Sequence, residues 1–228
     1  MKFISGLLVF FVCLARPSAQ IYVIPTDNQI KVAVIDTGIK YSYISQTPLC
    51  ESGHKDFTGE GLADIHGHGT NVVGLIVKNA KVSKYCIILI KAYGFKNGKT
   101  TQFISQALHY ADIIGADIVN ISGGGAGFIK DEYKSVKSLL DRGAVIVAAA
   151  GNDKLNLDEN CDYYPACYDK RILVVGSFDS YSNYGKIVDI KLDGRNKTAF
   201  GVMLSGTSQS TAQFTGLILN LALSKKKK

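Results

Sequence analysis

The chain has 228 residues, and 46% of them are hydrophobic, which is enough for one sizeable core. We therefore expect one large α/β domain rather than two small ones. The net charge is +7, but six of the cations lie near the ends of the chain, at Lys2, at Arg16 and in residues 225–228. The body therefore carries a charge of only +1 and gives no indication of a nucleic-acid-binding surface.

Residues 1–19 have the pattern of a secretory signal peptide. Lys2 gives a basic start, residues 3–15 are mostly apolar, and Ser18 and Ala19 are small residues that suit a cleavage site. We therefore expect a secreted protein, extracellular or periplasmic, that has no stable membrane insertion after cleavage. The apolar run is too short to span a bilayer comfortably. The alternative is an uncleaved, buried strand or helix.

Four cysteines remain in the mature chain, and an even number in an oxidising compartment indicates disulfides. Three pairings are possible. Cys161 and Cys167 bracket a Tyr-Tyr-Pro turn and are easily brought together, which leaves Cys50 with Cys86. Metal ligation is the alternative, but the spacing is poor for zinc.

Apolar runs rich in β-branched residues predict strands that are buried on both faces. They cover residues 30–35, 83–91, 116–121, 144–150 and 172–175. Helices are predicted over residues 71–80, 101–114 and 131–142, and another after Ser208. This alternation predicts a doubly wound, mostly parallel α/β sheet with helices on both faces.

Four polar residues stand where these elements begin or end. Asp36 follows the first strand, His68 lies at a helix entry, Asn152 follows the fourth strand, and Ser208 begins the last helix. Such loops can open on one edge of a parallel sheet. A serine nucleophile needs a base, a group that orients the base, and donors for the oxyanion, and these four residues supply all of them.

Two other kinds of site compete with this interpretation. His66 and His68 with Asp64 could ligate a metal ion, but their spacing matches no usual zinc pattern, so no metal is expected. The glycine-rich residues 122–127 lack a phosphate-binding pattern, and their bare backbone could instead pair with an extended peptide.

Five blocks of the sequence resemble those of the subtilisin-like serine proteases. They are VAVIDTGI around Asp36, GHGTNVVG around His68, VNISGG around Ser122, VAAAGN around Asn152 and SGTSQSTAQFTG around Ser208. Together they extend over about residues 30–222, in the subtilisin order Asp, His, Ser. The resemblance implies a subtilisin-like three-layer fold and a secreted serine endopeptidase. With the patterns at the two ends of the chain, the sequence predicts a signal peptide over residues 1–19, one catalytic domain over residues 20–224 and a lysine tail over residues 225–228.

The resemblance also implies a role for each residue of the site. Asp36 orients His68, His68 accepts the proton of Ser208, and Asn152 with the Ser208 backbone N–H holds the oxyanion. Substrate-binding roles fall on Ser122, Gly123 and Gly124, on Ala149, Ala150 and Gly151, and on Tyr163. Tyr163 stands where the family often has glycine at the bottom of the pocket for the residue before the scissile bond. A ring there predicts a shortened pocket that favours Ala or Ser.

The chain departs from the family's pattern at several points. Asn71 replaces the usual histidine, and residues 209–213 replace a Met-Ala-x-Pro-His segment. No pro-domain is expected between the signal peptide and Ile21. The loop after the His68 helix lacks the Asn-rich stretch that carries calcium in many members, so we expect no cofactor. We expect a monomer that acts on polypeptides. The alternatives are a catalytically impaired protein that binds peptides or regulates another protease, and a non-catalytic surface domain.

Overall fold

The computed structural model describes residues 7–12, 20–25, 29–96 and 99–223. The predicted cleavage site after Ala19 and the lysine tail at residues 225–228 lie outside the described residues. The signal peptide and the tail therefore stay predictions. Within the described part, Leu7–Val12 pairs antiparallel with Gln20–Pro25, one strand on each side of the predicted cleavage site.

The strands and helices follow one another in the predicted alternation. The strands are β1 (Leu7–Val12), β2 (Gln20–Pro25), β3 (Ile30–Asp36), β4 (Lys55–Asp56), β5 (Tyr85–Lys91), β6 (Tyr93–Lys96), β7 (Lys99–Gln102), β8 (Ile118–Ile121), β9 (Val145–Ala149), β10 (Leu173–Ser177), β11 (Ile190–Leu192), β12 (Lys197–Ala199) and β13 (Val202–Leu204). The helices are α1 (His68–Asn79), α2 (Ile104–Ile113), α3 (Lys130–Asp141) and α4 (Thr207–Leu223), with a short 3₁₀ helix over Tyr41–Gln46. Among the described residues, none of these helices has the length and apolar character needed to cross a bilayer.

Seven strands form the central sheet in the order β11-β10-β9-β8-β3-β5-β4, and every neighbouring pair is parallel. Alternate residues of β3 face opposite layers. Val32 and Val34 pack in the cluster that includes α1 and α4, whereas Ala33 and Ile35 pack with α2 and α3. Helices on both faces bury both sides of the strands, which explains their continuous apolar sequences. The predicted α/β fold with a mostly parallel sheet is confirmed.

The predicted starts of two helices are wrong. A helix is predicted over residues 101–114, but Lys99–Gln102 forms strand β7, which pairs with β6 as an antiparallel hairpin. The hairpin satisfies the backbone of Thr101 and Gln102, so α2 begins only at Ile104. Helix α1 begins three residues earlier than predicted, at His68 itself.

Both favoured disulfides are confirmed. Cys50 and Cys86 are joined across Cα atoms 4.9 Å apart, and Cys161 and Cys167 across Cα atoms 5.7 Å apart. The second bridge closes the short loop that contains Tyr163.

Candidate active site

Asp36 is the last residue of the central strand β3 and is almost completely buried. Its Oδ1 lies 2.8 Å from His68 Nδ1 and accepts a hydrogen bond of 2.7 Å from the backbone N–H of Thr37. A carboxylate facing Nδ1 favours the tautomer in which Nδ1 carries the proton. The other ring nitrogen, Nε2, is then free to accept a proton.

Asp64 anchors the loop that carries His68 to the start of α1. Its Oδ1 accepts hydrogen bonds from the Thr37 hydroxyl (2.9 Å) and from Gly67 N–H (2.7 Å). Its Oδ2 accepts from the backbone N–H (2.8 Å) and the hydroxyl (2.6 Å) of Thr70. With both oxygens occupied in this way, Asp64 is poorly placed to ligate a metal with His66 and His68. In the part of the chain that the structure describes, no group of three or more His, Cys, Asp or Glu residues is arranged to hold a metal ion.

Opposing effects act on the imidazole of His68. Burial lowers its pKa, but the negative charges of Asp36 and Asp64 and the hydrogen bond to Asp36 outweigh burial and raise the pKa above the usual value. The raised pKa means that His68 loses its proton, and becomes able to act as a base, at a higher pH than an isolated histidine.

The raised pKa predicts the acid limb of a pH–rate profile. We expect kcat/KM for peptide cleavage to rise as His68 deprotonates, with a midpoint above the ordinary histidine value of about 6.5. A profile measured from acid to neutral pH checks this. If kcat/KM stayed at its maximum well below the ordinary pKa of histidine, the assignment of His68 as the base would be contradicted.

Ser208 lies in the first turn of α4, where the backbone N–H groups have no partner within the helix. Its hydroxyl donates a hydrogen bond of 2.6 Å to the carbonyl of Ser122. Within the described residues, no hydrogen bond joins this hydroxyl to His68. Both side chains nevertheless line one cavity of about 630 Å³. Proton transfer to His68 would therefore require the Ser208 hydroxyl to exchange its hydrogen bond with Ser122 for one with His68.

Asn152 follows β9 and lines the same cavity. Its Oδ1 accepts a hydrogen bond of 2.9 Å from the backbone N–H of Thr207, the residue before Ser208. This bond fixes the amide at the start of α4 and leaves its Nδ2 as a donor. The amide and the Ser208 backbone N–H have the chemistry needed to stabilise an oxyanion.

Two buried asparagines that were not identified from the sequence make hydrogen bonds to the two predicted substrate-binding segments, residues 122–124 and residues 149–151. Asn120 Nδ2 donates to Ser122 Oγ (3.0 Å), which donates in turn to the carbonyl of Ser208 (3.2 Å). Asn183 Nδ2 donates to the carbonyl of Ala150 (2.8 Å), and its Oδ1 accepts from Asp153 N–H (2.9 Å). Asn120 Oδ1 also accepts a hydrogen bond of 2.8 Å from the hydroxyl of Thr215, 95 positions away, and the two partners of Asn183 lie 33 and 30 positions away. No local sequence pattern could have identified these long-range bonds.

The ring of Tyr163 fills the gap between the two segments. A Cβ atom built on Gly124 would lie 2.8 Å from Cε1 of this ring, and one built on Gly151 would lie 2.8 Å from Cε2. Burial, and then the negative charge of Asp153, raise the pKa of Tyr163 to about 12, so the phenol is neutral at neutral pH. The ring of Tyr163 thus lies between Gly124 and Gly151, and the shortened pocket stays a prediction.

Curated relatives of this chain are serine proteases. It is 29% identical to the major intracellular serine protease of Bacillus subtilis (strain 168) over 219 residues, which cover 84% of this chain and 67% of that protein. It is 33% identical to subtilisin DY of Bacillus licheniformis over 166 residues, which cover 68% of this chain and 58% of that protein. A thermophilic serine proteinase of Bacillus sp. (strain AK1) is 28% identical, with 84% of this chain and 52% of that protein covered. The chain thus spans about half to two thirds of the length of these relatives.

Solved structures show the same fold. A lanthipeptide protease superposes with a TM-score of 0.71 at 19% identity, over 87% of this chain and 75% of that chain. A cold-adapted subtilisin-like serine proteinase superposes with a TM-score of 0.66 at 24% identity, over 83% of this chain and 73% of that chain. The family model described as "Subtilase family" matches residues 27–227. With this match over most of its length, the chain belongs to the subtilase family of serine proteases.

Proposed function

We propose that this chain is a serine endopeptidase that hydrolyses polypeptides through Asp36, His68 and Ser208. The observation that carries the proposal is the 2.8 Å contact between Asp36 Oδ1 and His68 Nδ1, with Ser208 in the same cavity as His68. Family membership supports the reaction class. The chain spans only part of its relatives' length, so the activity and the substrates of the whole protein are proposed here.

In the proposed mechanism, Ser208 is the nucleophile, His68 transfers the protons, and Asp36 stabilises the charged form of His68. After the Ser208 hydroxyl exchanges its hydrogen bond with Ser122 for one with His68, Nε2 takes its proton while Oγ attacks the peptide carbonyl carbon. The tetrahedral intermediate collapses, the C–N bond breaks, and His68 gives the proton to the leaving amine. Water then attacks the acyl-enzyme with His68 as base again, which releases the acid and restores Ser208. Asp36 stabilises the imidazolium in both halves, and these steps use no cofactor.

Asn152→Ala should lower kcat by about 10²–10³-fold with little change in KM. The physical reason is that Nδ2 would donate to an oxygen that becomes negatively charged only in the transition state. Steady-state kinetics on one peptide checks this. Asn156→Ala is the matched control and should retain full activity, because Asn156 is half-buried outside the cavity and its amide donates a surface hydrogen bond to Glu159. Unchanged turnover in Asn152→Ala would show that Asn152 does not stabilise the oxyanion.

Tyr163 is expected to restrict the residue before the scissile bond to small side chains such as Ala or Ser, because its ring occupies the space between Gly124 and Gly151. Tyr163→Gly should open the gap and raise kcat/KM for Phe or Leu at that position by about tenfold or more. Tyr163→Phe keeps the ring and should keep the preference. Profiling of peptides varied at this position is the measurement, and a wild-type preference for Phe or Leu would contradict the expectation.

We also propose that the protein is exported and acts as a monomer. The pattern of residues 1–19 and the two disulfides support export, because disulfides persist in oxidising compartments. Expected substrates are polypeptides rather than nucleic acids, in keeping with the near-neutral body of the chain.

One observation favours the second candidate, a subtilase that binds peptides or regulates another protease without turnover. The Ser208 hydroxyl is hydrogen-bonded to the Ser122 carbonyl instead of to His68. Incubation of an unfolded protein with the wild type and with Ser208→Ala separates the two functions. Cleavage by the wild type alone supports the endopeptidase. Tight binding of peptides by both proteins, with cleavage by neither, supports the second candidate.

A further inference from the structure

Two residues at which the chain departs from the subtilase pattern are in contact with each other. Asn71 lies in α1 and Gln209 in α4, 138 positions apart, and Gln209 Nε2 donates a hydrogen bond of 3.0 Å to Asn71 Oδ1. Asn71 is completely buried and Gln209 is 1% exposed. Buried amides of this kind are costly unless their polar atoms are paired.

The orientation of the Asn71 amide is fixed by its other end. Its Nδ2 donates to the carbonyls of Lys197 (2.9 Å) and Val202 (2.8 Å), which belong to the paired strands β12 and β13. A flipped amide would place its oxygen against both of these carbonyl oxygens. Asn71 Oδ1 must therefore face Gln209, which supplies the one side-chain donor to it among the described residues.

The hydrogen bond joins the two helices at the ends that carry the proposed base and nucleophile. Asn71 is three residues after His68, and Gln209 directly follows Ser208. A second hydrogen bond joins the same two helices at their opposite ends, where Asn220 Nδ2 donates to the carbonyl of Asn79 (2.8 Å). The helices α1 and α4 are thus held together near the candidate site and also far from it.

We propose that Asn71 and Gln209 are positioning residues that set the separation of Ser208 Oγ from His68 Nε2. The inference rests on the proposed function of those two residues. Neither amide touches a reacting atom; each acts by holding the start of α4 against α1. Proton transfer needs the two heavy atoms within hydrogen-bond reach, and a displacement of about 1 Å can cost about 10²-fold in rate.

Gln209→Met tests the proposal because it keeps the volume of the side chain and removes the donor. The measurements are kcat and KM on one peptide, and the second-order rate of inactivation by a fluorophosphonate, which reports the reactivity of the serine directly. We expect kcat and the inactivation rate to fall about ten- to hundredfold while KM changes little. Should Gln209→Met fail to fold, Gln209→Asn, which retains the amide but is one methylene shorter, should show the same loss of kcat.

Asn220→Leu is the matched control, because it removes the hydrogen bond between the same helices far from the site. We expect a lower Tm for both variants but a loss of kcat only for the Gln209 variant. Equal losses of Tm with kcat and the inactivation rate unchanged in both would show that the Asn71–Gln209 bond serves stability alone and would overturn the proposal. A folded wild type that does not react with the fluorophosphonate would instead overturn the proposed function, and with it the positioning role.

Discussion

His68→Ala is expected to lower kcat/KM for peptide cleavage by about 10⁶-fold, the loss typical of removing the base of a serine protease triad. The side chain holds its Nδ1 against Asp36 and lines the cavity that contains Ser208. Without the imidazole, the serine hydroxyl loses the base that is proposed to take its proton. Steady-state kinetics with an active-site titration of the wild type measures the effect.

His66→Ala is the matched control for this prediction. His66 lies two residues away and its ring centroid is 6.3 Å from that of His68, yet it makes no contact with Asp36 among the described hydrogen bonds. We expect it to retain most of the wild-type activity. A large loss in His66→Ala with a small loss in His68→Ala would show that the base has been assigned to the wrong histidine.

Asp36→Asn should lower kcat by about 10⁴-fold while leaving the fold intact. The asparagine is nearly the same size, but its neutral amide no longer stabilises the imidazolium and can hold the ring in the wrong tautomer. The same variant should also lower the pKa of His68, because Asp36 contributes to raising it. The measurements are kcat and the midpoint of the acid limb of the pH–rate profile.

Asp158→Asn provides the control for a general effect of losing one carboxylate. Asp158 accepts a hydrogen bond from the exposed backbone N–H of Lys186, away from the cavity. We expect normal kcat and an unshifted acid limb for this variant. An unshifted acid limb in Asp36→Asn would contradict the coupling of Asp36 to His68, even if kcat fell.

Five of the seven strands of the central sheet could be predicted, because an apolar sequence that is buried on both faces identifies a strand without knowledge of its partners. Strands such as β3 and β5 are buried on both faces, so their apolar sequences alone identify them. The short strand β4 could not be found in this way. Lys55 and Asp56 are polar and form a strand only because they pair with Ile90 and Lys91. The hairpin of β6 and β7 was missed for the same reason.

The residues of the candidate site could likewise be predicted from the sequence, but the contacts that hold them could not. Asp36, His68, Asn152 and Ser208 were identifiable because their residue types stand at the ends of elements, where parallel topology brings loops together. The hydrogen bonds that hold them depend on tertiary contacts. Asp64 was considered only as a metal ligand, whereas the structure shows it anchoring the loop before His68. The hydrogen bond from the Ser208 hydroxyl to the Ser122 carbonyl could not be predicted from the sequence either.

The most direct test of the account is covalent labelling of the wild type with a fluorophosphonate, followed by mass spectrometry of the digested protein. Labelling requires a serine hydroxyl activated by a neighbouring base. We predict that the phosphonyl group is found on Ser208, and that His68→Ala abolishes the label. A correctly folded wild type that stays unlabelled, or that carries the label on another residue, would contradict the assignment of Ser208 as the nucleophile.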